Sequence, residues 1–260
     1  MTAGRETLAA QLRGLGLPTG ATVLVHSALS RVGHGPATLL AALRDVLGPE
    51  GTVAVGTQTP GNSVTSRAFR AATAGMSPAQ VAAAEAAITP FDPEHSPAEG
   101  TGAFAEHVRR QPAALRSHHP QASFAAVGPG AATVTAVHDL DCHLGERSPL
   151  GALHAADAVV LLLGVGWSVC TAFHLAEYQL RRPAPERAYR CYVRGVDGRR
   201  LRRDFRAPHL DDTDFAVIGA ALEGSVPVRT GPVGAAVGRL VRLRPAVDFA
   251  RGWMDEHRRP

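Results

Sequence analysis

The sequence predicts an α/β fold, a mixed central sheet flanked by helices in a single domain over residues 1–260. Three observations point there. Short apolar runs of strand length, such as "ATVLVHSAL", "GTVAVGTQT" and "DAVVLLLGVG", alternate with amphipathic stretches of helix length. The 260 residues are 45% hydrophobic and 19% charged, a balance that can bury a large core. No internal repeat and no Pro/Ser-rich linker divides the chain.

Each element has its local reason. Residues 5–16 read as a first helix, with Leu8, Leu12 and Leu15 near helical spacing and Gly16 and Pro18 ending it. "ATVLVHSAL" is a buried strand running into a loop, "SRVGHG". In "PATLLAALRDVLG" Pro36 opens a helix, Leu39, Leu40, Leu43 and Leu47 form its apolar stripe, and Gly48 closes it. With "GTVAVGTQT" next, the unit is strand–loop–helix–strand, which predicts parallel pairing through a right-handed crossover. Residues 60–102 are a long irregular excursion holding an Ala-rich helix, "SPAQVAAAEAAI", and then "TPFDPEHSPAEGTG". An insertion of that length in a compact domain is often functional. "AFAEHVRRQP" resumes a helix, "QASFAAVGPGAATVTAV" reads as a strand and a turn, and "SPLGALHAA" is a short helix with a Ser cap.

"DAVVLLLGVG" is the clearest central strand, and "VCTAFHLAEYQL" follows it. "RAYRCYVRGVDGRRLRRDF" alternates around a Val-Asp-Gly turn and reads as an antiparallel hairpin on one flank. "DTDFAVIGAALEGS" is a helix with Asp or Thr near its cap. "VRTGPVGAAVGRLVRL" reads as strand and helix, and "AVDFARGWMDEHRR" as a terminal helix.

Bulk properties narrow the function classes. All 27 basic residues are Arg, and the net charge is +4. The Arg residues cluster late, in "RRPAPERAYR", "RGVDGRRLRRDFR" and "EHRRP", without interleaved aromatics or a nucleic-acid-binding motif. They read as a solvated basic face, so no nucleic-acid partner is expected. Three widely spaced Cys argue against a disulfide framework and a zinc cluster. The N-terminal stretch lacks the apolar core of a secretory signal, and no run approaches the roughly 18 apolar residues of a membrane span. The expected location is cytoplasmic, with no membrane partner. A homodimer is a candidate assembly.

Four constellations carry possible chemistry. The loop "VHSALSRVGHG" supplies hydroxyls and backbone N–H groups at a strand end, where phosphate binds, but it is neither a Walker loop nor GxGxxG. An ordinary βα turn explains it as well. "RSHHPQASFAAVG" brings His118, His119 and Ser123 together with no ligand-like spacing and no GxSxG elbow, so no metal is expected there. "TPFDPEHSPAEGTGAFAEHVRR" holds Asp92, Glu94, Glu99 and Glu106, either facing a cationic substrate or merely solvated. In "VCTAFHLAEYQL", Cys170 is a buried small residue or a nucleophile. His174 and Glu177 sit three apart on one helix face: a general base with its orienting carboxylate, or a satisfied helix pair. Position after the central strand favours a site.

Taken together, "VLVHSALSRVG", "FDPEHSPAEGTGAFAEHVRR", "RSHHPQASFAAVG", "SPLGAL", "VLLLGVGWSVCTAFHLAEY" and "DFAVIGAALE" resemble the aminoglycoside 3-N-acetyltransferase family in motif, order and interval, over nearly the whole chain. The resemblance implies that family's antibiotic N-acetyltransferase fold, distinct from the GNAT fold. It implies transfer of acetyl from acetyl-CoA to the 3-amino group of a 2-deoxystreptamine aminoglycoside, in resistance or self-protection. It casts His174 as catalytic base, with Glu177 orienting it and Thr171 donating toward the thioester oxygen. The coenzyme A contacts it implies are His26, Ser27, Ala28, Leu29, Ser30, Arg31, Val32 and Gly33, with Ser123 and Phe124. A polycationic acceptor needs carboxylates, and Asp92, Glu99, Asp214 and Glu223 lie in or beside the family-like segments. Because +4 repels a polycation, a local acidic cleft must outweigh the global field. The alternative acceptor is another amine in antibiotic biosynthesis.

Overall fold

The computed structural model describes residues 2–258. Helix α1 (Thr2–Leu15) leads to β1 (Thr22–Ser27), a one-turn α2 (Leu29–Val32), α3 (Pro36–Leu47) and β2 (Thr52–Gly56). The excursion that follows carries α4 (Arg67–Ala72) and α5 (Pro78–Ala86), then α6 (Gly102–Arg109). A two-residue β3 (Leu115–Arg116), β4 (Phe124–Val127), α7 (Ala131–Thr135), α8 (Pro149–Ala155) and β5 (Val159–Leu163) come next. The chain continues through α9 (Phe173–Tyr178), the hairpin β6 (Glu186–Arg194) and β7 (Arg200–Pro208), and α10 (Phe215–Glu223). It ends in β8 (Arg229–Val233), β9 (Ala236–Arg242) and α11 (Leu243–His257).

Seven strands form one mixed sheet in the order β3-β4-β2-β1-β5-β9-β8. The expected parallel pairing of β1 with β2 is present, and β5 joins β1 on its other side, also parallel. The outer pairs are antiparallel. The three central strands are almost continuously apolar because both faces are covered. Leu24, Val160 and Leu162 point to a layer built with Phe173, Phe215, Ile218 and Met254. Val23, Val25, Leu161 and Leu163 point to a layer built with Leu8, Leu12, Leu39, Leu43 and Phe104.

The Arg-rich hairpin is a separate two-stranded sheet, as its alternation predicts. Bridges Ser63–Cys191 and Phe91–Val193 tie it to the 60–102 excursion, and Asn62 brackets Tyr192 through the Tyr192 N–H and C=O. The excursion is therefore pinned to the hairpin, and its backbone groups find partners there.

Four expectations are corrected. "VRTGPVGAAVGRLVRL" forms the hairpin β8–β9 and no helix: Gly234 takes φ 61° at the turn, and β9 pairs antiparallel with β8 on one side and β5 on the other, burying Leu240 and Val241 on opposite faces. "SRVGHG" contains the helical turn α2, closed by Gly33 in the left-handed region. The excursion holds α4, capped by Ser66, beside the expected Ala-rich helix. The turn after β4 contains α7, which buries Ala131 and Val134.

Candidate active site

A cleft of about 470 Å³ opens where β1, β2 and β5 end, the place an open α/β sheet offers for a site. Ser27 and Ala28 come from the end of β1, Gly56 and Gln58 from β2, and Val165 and Ser168 from beyond β5. Gly164 is required at this crossing: its φ is 66°, and a Cβ would stand 2.9 Å from that of Arg31. Arg31 donates to Gly164 O at 2.9 Å, and the Ala28 N–H donates to Leu163 O, so the loop after β1 is fastened to β5.

His174 stands on the cleft wall with Thr171, Asp212 and Phe215. Helix α9 buries Phe173, Leu175 and Ala176 and turns His174 outward. The imidazole packs on Phe215, ring centroids 4.6 Å apart, and Phe215 meets Phe173 edge-on at 5.4 Å. Phe173 in turn lies near-parallel to Trp167. Trp167 fits because α10 carries Gly219 there, where a Cβ would fall 1.9 Å from the indole. This aromatic stack fixes the ring's place before any ligand arrives.

The sequence pair is realised as a hydrogen bond. His174 Nδ1–H donates to Glu177 Oε2 at 2.5 Å, which leaves Nε2 as the basic nitrogen. The Glu177 side chain has no exposed surface, so its charge must be compensated inside the protein. Its Oε1 accepts from the Asp211 N–H at 2.8 Å and from Arg258 Nη1 at 2.6 Å. Arg258 also grips Asp214 through Nε and Nη2, at 2.8 and 2.7 Å, and donates to Asp211 O.

Arg258 was missed by sequence reasoning, which placed "EHRRP" on a solvated basic face. The only local signal was a cation just past a helix end. Its removal has a readable outcome: Arg258→Ala leaves buried Glu177 with a single backbone donor on Oε1. Stability falls by about 1.5–3 kcal/mol, seen as a lower Tm. Turnover falls about tenfold, the rate equivalent of ~1.4 kcal/mol. An unchanged kcat would show that Glu177 orients the imidazole without it.

Of the expected coenzyme residues, only His26, Ser27 and Ala28 line the cleft. Leu29 and Ser30 follow where α2 begins, and among the described residues their N–H groups have no backbone acceptor. Arg31 faces outward, and Val32 packs into the core. Ser123 and Phe124 do not line the cleft, and both are fully buried. Ser123 donates to Thr57 O and accepts from Arg116, and Arg116 also donates to Ser96 O and Thr57 O, so this serine braces the 93–99 segment instead.

The expected substrate carboxylates are mostly engaged. Asp92 pairs with Arg194 and His95 and accepts from two backbone N–H groups. Asp214 is held by Arg258, which is why this N-cap residue makes no cap hydrogen bond. Trp167 and Arg239 hold the Glu223 carboxyl below the usual range. Glu99 accepts from the Gly61 N–H beside the cleft. Asp212, not singled out from sequence, is the one carboxylate lining the cleft among the described residues.

Cys170 is no nucleophile: it is fully buried, and burial pushes its thiol up to about 12. Among the described residues no group of three or more His, Cys, Asp or Glu is placed to hold a metal ion, and no helix is long and apolar enough to cross a membrane.

This geometry has relatives. The family model for aminoglycoside 3-N-acetyltransferase matches residues 24–255. Aminoglycoside N(3)-acetyltransferase VII of Streptomyces paromomycinus is 37% identical, over 97% of this chain and 91% of that protein. The crystal structure of the YokD protein from Bacillus subtilis superposes with a TM-score of 0.90 at 31% identity, covering 97% of this chain and 93% of that one. The AAC-IIIb binary complex with CoASH superposes with a TM-score of 0.83 at 33% identity, covering 98% of each chain. The matched span runs from β1 to α11 and so includes the cleft, the His174–Glu177 pair and most of what holds them: this chain belongs to the aminoglycoside 3-N-acetyltransferase family.

Proposed function

We propose that the protein transfers acetyl from acetyl-CoA to the 3-amino group of a 2-deoxystreptamine aminoglycoside, by direct attack in a ternary complex. The observation that carries this reading is the His174–Glu177 dyad at the mouth of the parallel strands, with one imidazole nitrogen committed to a buried carboxylate and the other left basic. The coenzyme enters along the loop after β1, where Ser27 and Ser30 with the N–H groups of Leu29 and Ser30 receive its pyrophosphate or pantetheine arm. The relative seen with CoASH supports this choice of co-substrate.

A sugar ammonium has no lone pair, so it first releases one proton to solvent. The free amine then attacks the thioester carbon, forming the C–N bond as the carbonyl π pair moves to oxygen. The new ammonium gives its excess proton to His174 Nε2. Collapse restores C=O and breaks C–S, and the departing thiolate takes that proton from the imidazolium. Glu177 holds the imidazole in the required tautomer and steadies its positive form, and Arg258 holds Glu177 in place. Thr171, on the same wall, hydrogen-bonds the thioester oxygen. No covalent acetyl-enzyme is needed.

A second reading concerns the acceptor. Three of the four expected carboxylates are neutralised by Arg, and Asp212 alone lines the cleft. That favours an amine with few positive charges, as a biosynthetic intermediate would present. Asp212→Asn separates the two: with an aminoglycoside, KM rises about tenfold and kcat holds, as for a charge-assisted hydrogen bond worth ~1.5–3 kcal/mol. An unchanged KM would mean that Asp212 does not hold the acceptor.

The deciding assay is thiol release from acetyl-CoA against a panel of deoxystreptamine aminoglycosides, each paired with its 3-N-blocked analogue. Release that vanishes on blocking establishes reaction and position. Coenzyme A binding without release for any member removes the aminoglycoside as acceptor.

A further inference from the structure

Two buried polar atoms on the cleft wall have no partner among the described residues: His26 Nε2 and Thr101 Oγ1. Three further buried atoms share this state among the described residues, Gln121 Nε2, His143 Nδ1 and Arg187 Nε, and none of these residues lines the cleft. The imidazoles of His119, His138 and His143 each have at least one ring nitrogen engaged. His119 accepts from the Gln121 and Ala122 N–H groups and reaches Leu140 O, His138 bridges Ser117 and His143 O, and His143 meets Gln121. Thr101 is the N-cap residue of α6, yet its hydroxyl makes no cap hydrogen bond.

Their placement brings them to the reacting end of the cleft. His26 lies two residues beyond Leu24 on β1, so it points to the face that Leu24 shares with Phe173 and Phe215, the support of the His174 ring. Thr101 opens α6, whose Gly102 approaches the end of β1, where a Cβ would stand 3.5 Å from Ser27 O. A buried polar atom without a partner is costly, and such atoms are kept where a ligand completes them. Burial lowers His26 to about 4, so at neutral pH it is an uncharged imidazole able to donate one N–H.

We propose that His26 and Thr101 form a niche for the carbonyl oxygen of the acyl donor's thioester, each donating one hydrogen bond. This rests on the coenzyme reading above. As the amine attacks, the π pair settles on that oxygen, and both hydrogen bonds strengthen with its charge; when C=O re-forms and C–S breaks, they relax. Uncharged donors suit the task, because they stabilise a transient oxyanion without binding a permanent anion in its place.

The test compares two coenzyme A derivatives by calorimetry: the ketone isostere in which a methylene replaces the thioester sulfur, and S-ethyl coenzyme A, which lacks the oxygen. Wild type should prefer the ketone by roughly 2–10-fold, the worth of an ordinary hydrogen bond. His26→Leu and the near-isosteric Thr101→Val should each reduce that preference while holding S-ethyl coenzyme A as wild type does. Their kcat should fall about 10²–10³-fold for His26 and less for Thr101. His26→Asn, which keeps an N–H, should recover part of both. Equal binding of the two derivatives by wild type, a preference that persists in both variants, or parallel loss of both ligands would overturn the niche. Binding of neither derivative by wild type would overturn the coenzyme reading with it.

Discussion

His174→Ala lowers kcat by about 10²–10⁴-fold and leaves coenzyme A affinity within a small factor of wild type. The size follows from the geometry. The imidazole's Nδ1 is committed to Glu177, so in the proposed mechanism Nε2 is the base for the attacking amine, and alanine provides no substitute. In the proposed reading coenzyme A is received by the loop after β1, which makes no hydrogen bond to His174 among the described residues, so its binding should survive. Glu177→Gln removes the anion that steadies the imidazolium and should cost less than His174→Ala. The double variant should cost about as much as His174→Ala alone, because the two residues act as one unit. Steady-state thiol release with calorimetric coenzyme binding reads all three. A kcat within threefold of wild type for His174→Ala would remove this residue from the mechanism.

Acid unfolding is the second large effect. His26 and His119 are each lowered to about 4 by burial, and His138 and His143 are lowered well below the usual imidazole value by burial first and then by neighbouring imidazoles, His119 foremost. His119 shows why: its Nδ1 accepts two backbone N–H groups, so a proton there would face two others. The His119 ring lies tilted against those of His138 and His143, with centroids 4.6 Å apart in each pair, and His143 meets Tyr189 and Phe205 of the hairpin. Ser117, Gln121, Arg187 and carbonyl oxygens of the 138–147 segment surround them, and none of these is an anion.

The unfolded chain therefore binds more protons than the folded one, and stability rises with pH. It is complete above the unfolded imidazole value near 6.5 and is lost as pH falls toward about 4. His119 alone accounts for about 3 kcal/mol across that window, and the other three add in the same direction. Against a typical total of about 5–15 kcal/mol, this is enough to unfold the domain in mild acid. Urea midpoints between pH 7 and 4 should fall with a slope above one proton. A flat profile from pH 6.5 to 5 would show that these rings are already charged in the folded state.

Much of the fold was legible because its central strands and long helices obey single periodicities. Leu39, Leu40, Leu43 and Leu47 mark α3, and the Val/Leu run at 159–163 marks β5. The misreading at "GAAVGRLVRL" has a physical source. A short stretch of small and apolar residues suits either period, and pairing with β5 decides for the strand. The site divides the same way. His174 and Glu177 are neighbours on one helix face, so their meeting was readable. Arg258 reaches Glu177 across 81 positions, and no local pattern announces such a pair.

The sequence by itself determined the strand that carries the site and the His–Glu dyad, because each rests on spacing within one segment, and the α/β class and the family resemblance, because these rest on the order of segments along the chain. Tertiary structure alone decided where each charge is used. Ser123 became a brace for Arg116, Asp214 and Glu223 were taken up by Arg258 and Arg239, and Asp212 came to the cleft wall with only a long 3.9 Å pair to Arg67. Whether a polar group is available depends on what faces it across the fold, and that partner comes from residues far away in the chain.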